Sequence, residues 1–116
     1  MRKRGILALT FLATAFLFAL AFADNHTPED RGKIHFDNPS LAGGKKSCSS
    51  CHENGKLLKH TAGKTEFRVV GGRRQISMET AINACIVIGN GGDFIDDESA
   101  EMKELSSYIK SIGKKK

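Results

Sequence analysis

The sequence predicts an all-α domain of about three to four helices. Three observations predict it. A proline-led, acid-first stretch opens at Thr27, an apolar helical face follows a capping serine at Ser77, and apolar residues recur at three and four near the C-terminus. Between the first two lies Cys48-Ser49-Ser50-Cys51-His52, the most informative motif in the chain.

The first stretch of the chain is an address. Arg2-Lys3-Arg4 is a positive start, Ile6 to Leu20 is apolar apart from Thr10 and Thr14, and Ala21-Phe22-Ala23 has the small-residue pattern cut on export. Residues 1–23 therefore read as a signal peptide and 24–116 as the mature domain, in the periplasm or an equivalent lumen. An uncleaved anchor is the alternative, because the apolar run is close to spanning length. Removing 23 of the 116 residues leaves 93, one small domain. Three of the 18 basic residues leave with that segment, so 15 face 13 acidic ones, a net +2 against +5 for the whole chain. The basic balance of the full chain is thus mostly export signal, and nucleic acid is not expected as a partner.

In the mature domain, Thr27 can cap a helix over Pro28 to Asp37. Pro28 suits the first helical position, and Glu29 and Asp30 place negative charge in the first turn. Asn38-Pro39 ends it, since a residue before proline avoids helical angles. Gly43-Gly44 makes a tight loop into the cysteine motif. Gly63 to Arg74 is extended or looped, with Thr65, Phe67 and Val69 alternating before a turn at Gly71-Gly72. A helix then starts at the Ser77 cap, with Met78, Ala81, Ile82, Cys85 and Ile86 on one face, and stops at Asn90-Gly91-Gly92. The last helix covers Asp97 to Ile112, burying Met102, Leu105, Ile109 and Ile112 beside Tyr108, with Gly113 as its stop. The closing lysines read as a solvated tail.

C-x-x-C-H is the attachment signal for a c-type haem. The thiols of Cys48 and Cys51 add to the two vinyl groups, the two-residue spacer sets their separation, and His52 presents its imidazole to iron as proximal ligand. The same cysteines also suit a redox dithiol, or a zinc site completed by distant ligands. Cys51 and His52 are adjacent, however, and neighbours do not readily share one tetrahedral ion. A 93-residue core is marginal alone, and a buried macrocycle supplies much of the missing apolar surface.

Around this motif the chain resembles class I cytochromes c. Gly32-Lys33-Ile34-His35-Phe36 and Leu105-Ser106-Ser107-Tyr108-Ile109 match the glycine–aromatic and leucine–tyrosine surfaces that cross in that family. The resemblance implies a small class I cytochrome c fold around one covalent haem, and spans nearly all of the mature chain. A glycine at such a crossing lets two helices approach closely. The proline-flanked methionine loop that usually brings the sixth ligand in that family is missing here.

The sixth ligand must then come from His60, Met78 or Cys85, or the position is open. Met78 and Cys85 share a helical face but stand roughly 10 Å apart along the axis, so only one can sit over iron. Cys85 is favoured. It is the odd thiol of an exported chain, and it sits mid-helix, whereas Met78 lies in the fraying first turn. The stretch Ser77 to Ile86, with Glu101-Met102-Lys103 and Tyr108-Ile109-Lys110, is also similar to cytochromes in which a helical cysteine ligates haem as thiolate. Size and segment order look closest to the small monohaem subunit of the heterodimeric His/Cys cytochrome c complexes of anaerobic ammonium oxidisers.

That resemblance implies a second c-type cytochrome subunit, a redox partner protein, low-potential electron transfer, and binding of NO or CO once the thiolate leaves. The contrasting expectation is a haem subunit of a sulfur-compound oxidising enzyme, with Arg73-Arg74 as its anion site. A third is an ordinary carrier that uses Met78. The module reading is preferred over the enzyme, because no arginine directly precedes Cys85 and there is one haem motif only.

Overall fold

The computed structural model describes residues 25–114. The expected signal peptide, with its expected cleavage before Asp24, lies outside the described residues. Within them the chain is mostly helical, with three α-helices and one small two-stranded sheet.

Helix α1 spans Pro28–Asp37. The Thr27 hydroxyl accepts the Asp30 backbone N–H at 3.2 Å while the Asp30 carboxylate accepts the Thr27 N–H at 3.0 Å, a reciprocal cap that satisfies two otherwise orphaned donors. Asn38, ahead of Pro39, leaves the helix in extended backbone.

Helix α2, Met78–Cys85, begins with the same device: Ser77 and Thr80 each accept the other's backbone N–H. Met78, Ala81 and Ile82 are buried on its inner face. After Cys85 the backbone does not stop but widens into a π turn, Ile86–Asn90, closed by Gly91 in the left-handed region and by the Gly92 N–H on the Ile86 carbonyl at 3.0 Å. Ile86 is fully buried and its neighbours Val87 and Ile88 are exposed, since three successive branched residues cannot share one side.

Helix α3 is Ala100–Lys114, starting three residues later than its periodicity suggests. Asp96 explains the delay: its carboxylate accepts the Glu98 N–H, holding Asp97 and Glu98 in a turn, and the Ser99 hydroxyl then caps the Met102 N–H at 3.1 Å. At the other end Gly113 is helical, not a stop. A Cβ there would lie 2.8 Å from that of Ala62, so this glycine permits close packing of the loop on α3.

The helices α1 and α3 cross at Gly32. A Cβ on Gly32 would stand 2.0 Å from the Glu104 carbonyl oxygen and 2.7 Å from the Tyr108 Cβ, so backbone meets backbone there. Phe36, one turn on, packs edge-on against Tyr108 with ring centres 5.1 Å apart. Glu104 ties the crossing at its rim, accepting from Arg31 Nε at 2.6 Å and meeting His35 Nε2 at 2.9 Å. His35 is thus engaged as a side-chain partner of α3.

One feature lies outside an all-α description. Strands β1, Phe67–Arg68, and β2, Arg74–Gln75, pair antiparallel with Phe67 opposite Gln75 and Arg68 opposite Arg74. The turn between them uses Gly71 and Gly72 at positive φ, where the sequence marks a turn. This ribbon closes over one side of a core made of Phe36, Leu41, Met78, Ile82, Ile86, Met102, Leu105 and Ile109. Among the described residues no helix is long and apolar enough to cross a membrane.

Candidate functional site

The core is not solid. A cavity of about 400 Å³ opens between α2, the ribbon, the loop after His52 and the inner end of the α1–α3 crossing. That is the size of a site for a large organic cofactor. Phe36, Leu105 and Ile109 form its floor, and Leu57, Leu58, Phe67, Val69 and Val70 its other walls. Leu57 stands at the mouth at positive φ and 77 % exposed, a branched side chain held in an unfavourable backbone region beside an apolar space.

Every sulfur and imidazole singled out in the sequence as a favoured ligand faces this one cavity: Cys48, Cys51, His52, Met78 and Cys85. The first three are brought there by a short 3-10 turn, Cys48–Ser50, in which the Cys48 carbonyl accepts from both Cys51 and His52. His60 does not line the cavity and is exposed. Met78 is buried on the α2 wall, and Cys85 sits further along the same wall, where α2 passes into the π turn. Such turns recur at functional sites because they shift the register of one helical face.

His52 is oriented by a contact that fixes its chemistry. Its Nδ1 lies 2.8 Å from the Lys56 carbonyl oxygen. A carbonyl can only accept, so Nδ1 carries the hydrogen and the lone pair resides on Nε2, the nitrogen that can bind a metal. The next turn, Glu53–Gly55, carries the chain round to place the Lys56 carbonyl beside Nδ1 at the edge of the ring. Phe36 flanks the imidazole at 6.5 Å between ring centres.

The thiols are held apart by environment. Burial pushes the Cys48 thiol up from its ordinary value, opposed by a hydrogen bond from the Asn90 amide to its sulfur at 3.4 Å. Burial likewise pushes Cys85 up, opposed by the backbone of Val70. Cys48 feels the charge of Cys85, and Cys85 that of Cys51, because they face one another across the same space. Cys51 is exposed.

Arg73 and Arg74 do not line the cavity. Arg74 pairs with Glu66 on the outer side of the ribbon, and Arg73 faces a separate groove with Val87, Ile88 and Phe94. The arginine on the cavity wall is Arg68, which carries only a faint signal in the sequence. Its signal is the short alternating stretch around it, which places a charged residue between apolar neighbours. Asn90 is likewise missed, because in sequence Asn-Gly-Gly reads as a stop and nothing reveals a contact 42 residues away. The Lys56 carbonyl is a backbone group with no sequence signal at all.

Among the described residues no three His, Cys, Asp or Glu side chains converge as a bare metal ion requires. The donors are instead spread around a broad apolar space. No protein-family model, curated protein or solved structure matches this chain.

Proposed function

We propose that the chain is an exported monohaem c-type cytochrome module of class I type, with His52 and Cys85 as axial ligands and electron transfer as its task. One observation carries the reading: a single apolar cavity gathers Cys48, Cys51, His52 and Cys85, with the His52 Nε2 lone pair left available by the bond from Nδ1 to Lys56. The donor set fits the group. Two thiols on one short turn would suit thioether attachment, the walls would suit a flat apolar ring, and a porphyrin iron would need no more than two protein donors, which His52 and Cys85 could supply.

Cys48 and Cys51 would hold the ring, His52 and Cys85 would be the axial pair, and the apolar walls would keep water out. Bound there, haem supplies a one-electron couple, and a place for CO or NO when Cys85 is displaced. A thiolate donates charge and favours the ferric state, so this module works at low potential. A second c-type subunit and a redox partner protein belong to the reading on the strength of the resemblance alone. The sulfur-oxidising alternative is less well supported, since Arg73 and Arg74, its expected anion site, do not line the cavity of Cys85.

One observation keeps a second reading in view: Met78 is buried on the same wall as Cys85. Low-temperature EPR of the ferric protein beside Cys85→Ala separates the two. A low-spin signal with the narrow g-spread of thiolate ligation, lost in the variant, supports Cys85. An unchanged signal returns Met78, and with it an ordinary His/Met carrier. A redox titration giving a clearly positive potential would contradict the low-potential assignment.

A further inference from the structure

We infer that Asn90 is a positioning residue for the haem linkage: its side-chain amide holds the Cys48 sulfur in place for thioether formation. The inference rests on the haem reading above and deepens it.

The two motif cysteines are treated differently by the fold. Cys51 is exposed, whereas Cys48 is half-buried and its sulfur accepts a hydrogen bond from Asn90 Nδ2 at 3.4 Å. Asn90 is 7 % exposed, so its amide is spent inside the protein and not on water. Its backbone is used as well: the Asn90 carbonyl accepts the Lys45 N–H at 2.8 Å, three residues before Cys48. Gly44 comes so close that a Cβ there would lie 3.3 Å from that carbonyl. Two contacts, one from side chain and one from backbone, therefore clamp the incoming loop to the end of the π turn. That turn begins directly after Cys85. Asn90 is the last residue of that turn and reaches Cys48, so one five-residue segment links the wall that bears Cys85 to the turn that bears Cys48.

The step in question is redox-neutral. The Cys48 S–H bond breaks, sulfur bonds to the inner vinyl carbon, and the hydrogen ends on the outer one. Nothing else is consumed. An amide N–H directed at sulfur leaves the thiol hydrogen free to leave and fixes the direction of the sulfur lone pairs. With Cys51 exposed and without this restraint, loss of the Asn90 donor should affect one linkage and spare the other.

The test is Asn90→Asp, which keeps the shape and removes the donor, made in the full exported chain with maturation machinery co-expressed. Thioethers are counted by intact mass, by the haemochrome band in alkaline pyridine (which moves to longer wavelength when a vinyl survives), and by alkylation of surviving thiols mapped to Cys48 or Cys51. The expected result is a several-fold rise in singly linked protein with Cys48 alkylated and Cys51 joined. Two thioethers at wild-type yield would overturn the inference, as would equal loss of both linkages, which a general packing role produces. Should Asn90→Asp not accumulate, Asn90→Leu is read in the same way, and retention of both linkages in the Leu variant is equally fatal. Wild-type chain that takes up no haem would instead overturn the haem reading itself.

Discussion

The α1–α3 crossing and the α2 wall border the same core, yet they are finished to different degrees. At the crossing, backbone touches backbone at Gly32, Phe36 stacks edge-on upon Tyr108, and Glu104 closes the rim with Arg31 and His35. Across the core, α2, the ribbon and the cysteine turn are well hydrogen-bonded but stand off from one another, leaving about 400 Å³ of space. The difference teaches that this chain completes one half of its core from its own side chains and leaves the other half open, where the proposed haem would sit.

The largest test of that comparison removes what the open half is proposed to hold. In Cys48→Ser/Cys51→Ser the cavity would have to collapse or fill with water. At about 24 cal/mol per Å³ of unfilled space, the penalty is on the order of 5–10 kcal/mol. That is comparable with the whole stability of a small domain, about 5–15 kcal/mol. We expect the double variant to show little cooperative unfolding by circular dichroism, and a melting curve like the wild type's would mean the cavity is self-sufficient.

Breaking the closed half should cost less but still be severe. Gly32→Ala puts a Cβ at 2.0 Å from the Glu104 carbonyl, a contact with backbone that no rotamer relieves. The helices must separate, at about 3 kcal/mol. Chemical denaturation should show that loss, and, with the proposed haem bound, a shift in its spectrum as well, because Phe36 flanks both Tyr108 and His52. A destabilised variant with an unaltered spectrum would show the two halves to be independent.

Asn83 sharpens the comparison from the open side. It is buried on α2, two residues before Cys85, and its amide accepts from the Ile95 N–H at 2.9 Å while donating to the Ile95 carbonyl and to Asp97. Asn83→Leu strands two backbone groups of the 91–97 segment, worth about 2 kcal/mol. Because this staple positions the α2 wall, the EPR signal of the ferric protein should broaden as well.

How much of this was legible in sequence follows the same division. The closed half was readable because its signals are local and periodic: Thr27, Pro28 and Asp30 announce α1, Gly32 and Phe36 share a face, and Met102, Leu105 and Ile109 mark the face that meets them. That Cys48, Cys51 and His52 stand together on the cavity wall was equally plain, since neighbours along the chain stay neighbours in the fold. The open half was readable only in part. Ser77 and the apolar face give α2, but an α-to-π change depends on how many backbone bonds can be shifted at once, which side-chain periodicity does not encode. Asn90 and Arg68 act through partners distant in sequence. The Asp96 turn delays α3 because a side chain competes with the helix for a backbone N–H, a contest that propensity alone decides poorly.

The smallest effect concerns charge at the rim of the crossing. The Arg31 guanidinium, with help from His35, holds the Glu104 carboxyl below its ordinary value of 4.5. A carboxylate whose folded value is depressed stabilises the fold at every pH above the unfolded value, and that contribution fades as pH falls through the folded one. The wild type should therefore exceed Glu104→Gln in stability above about pH 5, and the margin should shrink on acidification below the ordinary glutamate range. Solvent reaches this pair, so the margin is at most about 1 kcal/mol and should diminish in high salt. A margin that did not change with pH would mean that Glu104 acts through packing on α1 and not through its charge, and the closed half would then owe its strength to packing, with Gly32 and Phe36 at its centre.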